Sequence, residues 1–268
     1  MPKTKKKEKN PLVSVIMNCH NGETYLKKSV DSIIQQTYKN WELVFFDNCS
    51  SDKSKKIIKN YNDKRIKYFS SKKYLKLYDA RNIAIKKSKG KYISFLDTDD
   101  LWIRNKIKKQ ISFLKKNREF KIVFSNYYIL NENKNKKFIK HKTSLPSGKI
   151  TQKLLDRYTL GILTVFLEKS IFKKFKFKRI YNIIGDFDFF INLSKKFKIS
   201  SIQKPLAFYR VHDFNLSSTN MKINIKELDQ WIKVNEKALS NLGYSLKKLK
   251  FFLKKLKLKF FIKKSLGV

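Results

Sequence analysis

Asp97-Thr98-Asp99-Asp100 places three carboxylates within four positions, directly after the apolar run Tyr92-Ile93-Ser94-Phe95-Leu96. Like charges at that spacing repel unless a cation sits among them. Hard divalent ions such as Mg²⁺ or Mn²⁺ take oxygen ligands, usually one or two from protein and the rest from water and phosphate oxygens. The cluster is therefore suited to holding a metal ion and a diphosphate. Asp100 also reads as the N-cap of a helix starting near Leu101, which accounts for one carboxylate of the three. Other polar groups share the same setting. Asn18-Cys19-His20-Asn21 follows the apolar run Leu12-Val13-Ser14-Val15-Ile16-Met17, and Asp47-Asn48-Cys49-Ser50-Ser51-Asp52 follows Trp41-Glu42-Leu43-Val44-Phe45-Phe46. Asp186 and Asp188 open a helical stretch carrying Phe189, Phe190, Leu193 and Phe197. A carboxylate placed there can cap the helix.

The elements that must position these groups alternate. Short apolar runs of buried-strand type end at Met17, Phe46 and Leu96, and helical spacing follows each. A further strand is expected at 65–69, and a helix at 78–88 with Gly90 as a left-handed cap. Strands are also expected at 121–125, 161–167 and 207–212, with a short helix at 168–175 and a hairpin or loop at 131–143. Strand–helix alternation predicts an α/β fold with a mostly parallel central sheet flanked by helices. Ligands of such sheets bind beyond the carboxyl ends of the strands, where Asn18, Asn21, Asp47 and Asp97 all fall. The sequence divides into a disordered basic arm at 1–11, a nucleotide-handling domain at 12–220 and a basic helical tail at 221–268. In that tail Leu246, Leu249, Leu253, Leu256 and Phe260 recur at three- and four-residue spacing among lysines. Such a helix either lies on an anionic membrane surface or docks on its own domain.

The chain has 268 residues, a formal charge of +42 and 63 Lys or Arg, of which seven are Arg. A surface this basic attracts polyanions. Nucleic-acid readers concentrate Arg for base and phosphate contacts; the scarcity of Arg and the lack of a recognisable motif point away from specific nucleic-acid binding and toward an anionic membrane surface. Cys19 and Cys49 form no disulfide scaffold and read as small buried residues. No apolar run approaches bilayer length, and the first apolar stretch is too short for a signal peptide. A cytoplasmic protein, peripheral at the inner face of the cell membrane, is expected.

The ordered motifs Val13-Ser14-Val15-Ile16 with Asn21 and Tyr25-Leu26, Asp47 to Asp52, Ala80-Arg81-Asn82, Phe95 to Trp102, Gly185 to Asp188, and Tyr209-Arg210-Val211-His212 resemble the inverting glycosyltransferases of family 2, over roughly residues 12–218. The resemblance implies the GT-A fold, a Rossmann-like nucleotide-diphospho-sugar transferase architecture. It also implies a sugar donor carried on a nucleoside diphosphate, a UDP-sugar foremost, and a glycan or lipid-linked acceptor. Carried over by position, Asp47 meets the nucleotide base, and Asn18, His20, Asn21, Arg81, Asp97 and Arg210 meet the rest of the nucleotide sugar. Asp99 and His212 bind Mn²⁺ or Mg²⁺, and Asp186 acts as general base with Asp188 as its alternative. The chain departs from the family pattern in having His20 where a Tyr is common, and Gly185 in place of the first acid of a pair. Two rival readings are a sugar nucleotidyltransferase and a non-catalytic polyanion-binding module. The first needs a Gly-rich loop after the first strand, where this chain has Gly22 alone. The second predicts salt-sensitive binding with no metal requirement.

Overall fold

The structure, a computed structural model, describes residues 10–131, 134, 136–213, 215 and 219–265; the basic arm expected at 1–11 lies outside them up to residue 9. Strand β1 (Val13–Cys19) is followed by α1 (Glu23–Ile34), β2 (Trp41–Asp47), α2 (Ser54–Lys59), β3 (Ile66–Ser70), α3 (Leu77–Lys87) and β4 (Tyr92–Phe95). Next come β5 (Leu101–Trp102), α4 (Lys106–Lys116), the β6/β7 hairpin (Ile122–Asn131 and Lys136–Ile139), α5 (Thr151–Asp156), β8 (Phe166–Glu168), α6 (Gly185–Ser194) and β9 (Ile199–Val211). Two long helices, α7 (Met221–Asn241) and α8 (Lys247–Ser265), end the described chain.

The sheet runs β3-β2-β1-β4-β8-β6-β9-β5, with β7 on β6. The first four strands are parallel, as is the long β6/β9 ladder, while β8 and β5 join antiparallel. Alternation along the strands explains why their apolar runs are unbroken. Val13, Val15, Met17, Leu43 and Phe45 enter one core, closed by Leu26, Val30 and Ile33 of α1 and by Ile107, Ile111 and Leu114 of α4. Ile16, Val44 and Phe46 enter the other, closed by α3, α5, α6, α7 and α8. A strand covered on both faces has no polar side to spare.

Register decides where the polar ends fall. Cys19 lies opposite Asp47, Asp47 opposite Ser70, and Ile16 opposite Phe95. The segments after β1, β2 and β4 therefore emerge side by side at one edge. Antiparallel pairing of Leu101 with Phe208 brings the end of β9 to the same place.

Several expectations change. No helix starts at Leu101: that residue enters β5, and α4 begins five residues later. Residues 161–167 are not one strand, because a 3₁₀ turn at Ile162–Thr164 precedes β8. The turn's carbonyls are held from outside, Leu163 by the indole N–H of Trp102 and Thr164 by the amide of Gln110. Gly90 is not a left-handed cap; positive φ is found at Gly148 and Gly243. At Gly90 a Cβ would stand 2.6 Å from the Ser14 backbone nitrogen, so close approach to β1 is what requires glycine. Cys19 is buried as expected, but Cys49 is exposed.

The last two helices and the turn between them add Leu228, Trp231, Ile232, Leu239, Leu246, Leu249 and Leu253 to the same core as α3 and α6. The leucine face expected to meet a membrane is thus the docked face. Burying each of those leucines stabilises the fold by about 1.5–3 kcal/mol.

Candidate functional site

The Asp-rich turn is fixed from two sides. From α1, the Ser29 hydroxyl donates to the Thr98 carbonyl at 2.6 Å, and Gly22 leaves no room for a Cβ against the Thr98 side chain. From β9, the Arg210 backbone N–H donates to the Asp100 carboxylate (3.0 Å), and Arg210 Nε donates to the Asp99 carbonyl (2.7 Å). Arg210 is fully buried, its guanidinium over the Tyr25 ring at 4.5 Å. Arg210, expected to meet the donor, thus lies beneath the turn and holds its backbone. Asp100 is buried as well, and loss of water, then the neighbouring Asp99 and Asp97, push its carboxyl well above the usual range. It ties the turn to β9 and caps no helix.

Asp97 and Asp99 stay accessible. Arg81 reaches from α3 to Asp97 at 3.0 Å, its own side chain almost wholly buried while 39% of the Asp97 side chain stays exposed. Loss of water in the crevice raises the Asp97 carboxyl; Arg81 opposes this and Asp99 adds to it. Asp99 Oδ2 lies 2.9 Å from His212 Nε2 and 3.4 Å from the Asn215 amide. These two elements thus pair a carboxylate and an imidazole that sit 113 positions apart in sequence.

Asp47 is buried, with Oδ1 accepting from Ser50 N–H (2.9 Å) and Oδ2 from the Tyr68 hydroxyl (2.8 Å). Beside it, both amide atoms of Asn18 are shielded from solvent without a partner. A buried unpaired polar group costs about 1–3 kcal/mol, which a polar ligand would recover. Asn21 has φ of 53° and accepts from Ser51 N–H; its own N–H donates to the Ser50 hydroxyl. His20 stands exposed, Nδ1 3.0 Å from the Asn48 carbonyl, its ring edge-on to Tyr74 at 4.7 Å. The loop at 48–54 is therefore largely a staple. Asp52 accepts from Glu23 N–H while Glu23 accepts from Lys53 N–H, so the N-termini of α1 and α2 cap each other.

Asp186 lies in the first turn of α6, its Oδ1 accepting from Phe187 N–H. Burial raises its carboxyl; Arg81 pulls the other way, and Asp97 adds a smaller upward push, so Asp186 feels the Arg81–Asp97 pair. Asp188 faces elsewhere, buried and bonded to Lys178 (2.9 Å) and to the Trp231 indole (2.9 Å).

Several site residues escape sequence reasoning. The Tyr78 hydroxyl donates to the Ile183 carbonyl and accepts from Asp186 N–H, and its ring fills the space a side chain at Gly185 would need, with contacts of 2.4–2.6 Å. That packing explains the glycine in place of an acid. Tyr127 and Tyr158 are held up as acids chiefly by burial, with Asp186 adding to both, and the Tyr158 hydroxyl is buried without a partner. Glu227 of α7 accepts from the backbone N–H groups of Asn182, Ile183 and Ile184, capping the entry to α6.

Residues 14–190 match the model of the family described as Glycosyl transferase family 2. The chain is 32% identical over 246 residues to UDP-Glc:alpha-D-GlcNAc-diphosphoundecaprenol beta-1,3-glucosyltransferase WfgD of Escherichia coli, covering 91% of this chain and 94% of the relative. Its fold is similar to TarS 1–349 of S. aureus in complex with UDP-GlcNAc, with a TM-score of 0.66 and 16% identity, covering 82% of this chain and 66% of that one. It is also similar to the mannosyltransferase PcManGT of Pyrobaculum calidifontis in complex with GDP-Man and Mn²⁺, with a TM-score of 0.61 and 13% identity, covering 83% of this chain and 64% of that one. The chain thus spans just under two thirds of the length of those solved structures. With a mixed α/β sheet whose polar strand ends converge on one crevice, the chain belongs to glycosyltransferase family 2 and is a glycosyltransferase.

Proposed function

We propose that the chain moves a sugar from a nucleoside-diphosphate donor, a UDP-sugar foremost, to an acceptor hydroxyl with inversion, in making a cell-surface polysaccharide or glycolipid. The observation that carries this reading is the Asp-rich turn, where Arg81 pairs with Asp97 at 3.0 Å and His212 meets Asp99 at 2.9 Å, with Asp186 under the influence of the Arg81–Asp97 pair. Asp47 is held by Ser50 and Tyr68 through one acceptor position on each oxygen, which leaves capacity for the N–H of a base. Asn18 and Asn21 line the same strand ends. Arg81 offsets phosphate charge while orienting Asp97.

The donors present fit a divalent ion. Asp99 and His212 supply an oxygen and an imidazole, and no group of three or more His, Cys, Asp or Glu side chains stands together among the described residues. A hard ion that takes only one or two protein ligands, leaving the rest to a diphosphate and water, suits such a pair. When bound, it supplies Lewis-acid neutralisation of the leaving diphosphate. Asp186, coming from α6 and not from the turn that carries Asp99, takes the acceptor proton. A carboxyl raised toward neutrality is a better base near neutral pH than an ordinary one.

The name of WfgD specifies a diphosphoundecaprenol-linked acceptor, which supports a lipid-linked acceptor here and a peripheral location at the inner face of the cell membrane. Among the described residues no helix is long and apolar enough to cross a membrane. Thermal shift against UDP, GDP, CDP and dTDP, each with and without Mn²⁺, tests the reading. A metal-dependent shift with one nucleoside diphosphate is expected; a metal-independent shift with all of them, or none, would overturn it.

A further inference from the structure

Helix α8 is apolar on two opposite faces. Leu249 and Leu253 are buried against the domain, as is Leu246 just before the helix. On the other side Phe251, Leu258 and Ile262 follow one another at seven- and four-residue steps, which at 100° per residue keeps them within about 20° of one line along the helix. Phe252 and Phe261 flank that line, and all five side chains are between 48% and 68% exposed. Exposed large apolar groups in such a row mark an interaction surface.

The lysines identify its partner. Lys248 pairs with Asp156 and Lys257 with Asp229, and Lys250 pairs with Glu236; these bridges clamp the helix to α5 and α7. Lys254, Lys255, Lys259 and Lys263 are exposed alongside the apolar line, with Lys255 Nζ 4.6 Å from the centre of the Phe251 ring. The helix carries no acid at all. A second copy of the chain would bring lysine against lysine across this face, in a molecule already at +42. Within this sequence, residues 1–9 are lysine-rich and residues 266–268 number only three, so neither offers an apolar cover. Anionic headgroups over an acyl region satisfy both the cations and the apolar line.

We propose that the outward line Phe251–Leu258–Ile262 of α8, with its flanking lysines, is the surface that seats the enzyme in an anionic lipid bilayer, while the leucine face holds it to the catalytic domain. The inference rests on the membrane-peripheral reading above and adds the face, which is opposite to the one expected from leucine spacing.

The test uses the full chain and its Phe251→Ser, Leu258→Ser, Ile262→Ser triple variant in sedimentation with vesicles of phosphatidylcholine mixed with phosphatidylglycerol, whose anionic headgroups attract cationic amphipathic helices. The variant should lose vesicle affinity by on the order of tenfold or more, and Lys254→Gln, Lys255→Gln, Lys259→Gln should flatten the fall in binding with salt. Circular dichroism and the nucleotide thermal shift should match the parent, because none of the three side chains is in the core or the site. If the parent ignores the vesicles altogether, the membrane-peripheral reading fails. If parent and variant sediment alike, that reading stands and the assignment of this face falls. A lipid-free parent that is oligomeric, with a monomeric variant, would make the face a contact between copies and equally overturn the proposal.

Discussion

Asp99 and His212 meet at 2.9 Å only because a turn and a strand end are pinned together by Arg210 and Asp100. Asp99→Asn preserves volume and removes charge, so donor binding should lose its dependence on Mn²⁺ while the fold persists; isothermal titration with and without the ion checks this, and unchanged metal dependence would sink the assignment. Asp186→Asn tests a different property. Turnover should fall by roughly 10²–10⁴-fold with donor affinity near normal. The same substitution should not lower thermal stability at pH 7 and is expected to raise it. Its carboxyl is raised in the folded chain, so the folded state binds the proton more tightly than the unfolded one. Stability is therefore lost as pH climbs from the ordinary carboxylate range through the raised value, and Asn avoids that loss. The gain should shrink as pH falls through the ordinary Asp value of about 3.9 and vanish well below it, where both states are protonated. In the parent, kcat should decline on the acid side at a higher pH than an unperturbed Asp would give. His141 behaves in the opposite sense. It is buried, and its ring is pushed down to about 4, so the unfolded chain protonates first and acid from pH 6.5 downward weakens the fold through this residue.

Helix α7 shows how an element distant from the chemistry can govern it. Glu227 caps the entry to α6, and Trp231 anchors Asp188 one turn further on, so the orientation of Asp186 depends on a helix that the sequence sets apart as tail. Glu227→Ala should cost about 1.5–3 kcal/mol, the range for hydrogen bonds to a charged group. It should also lower kcat more than donor affinity, with Glu227→Gln recovering part of each; a variant that loses stability but keeps kcat would confine Glu227 to folding. The carboxyl ends of β1, β2 and β4 were legible because strands buried on both faces write unbroken apolar runs, and the first polar residue after each marks the edge. What was not legible depended on contacts across long separations. The burial of Arg210 against Asp99 spans 111 positions, and the space at Gly185 is taken by a ring more than a hundred residues earlier. The docking face of α8 was ambiguous for another reason, since a helix apolar on two sides satisfies either assignment. For the same reason, deleting that helix is a poor test of membrane binding, because it would also strip Leu246, Leu249 and Leu253 from the core.

At the scale of the whole molecule, a charge of +42 on 268 residues opposes compaction. The melting temperature should therefore rise by a few degrees from 20 mM to 0.5 M NaCl as self-repulsion is screened; a fall would mean that the surface ion pairs outweigh it. The two thiols divide just as unevenly between inside and outside. Cys19 is buried, and burial raises it as an acid, whereas Cys49 is exposed with φ of 62° in the loop that leaves Asp47. Thiolates, not thiols, attack labelling reagents, and access limits them. The native protein consequently offers a single readily modifiable thiol per molecule, two positions from Asp47. Ellman titration should count one fast thiol in buffer and two in denaturant, and a fluorophore placed on Cys49 would report nucleotide occupancy without an engineered cysteine.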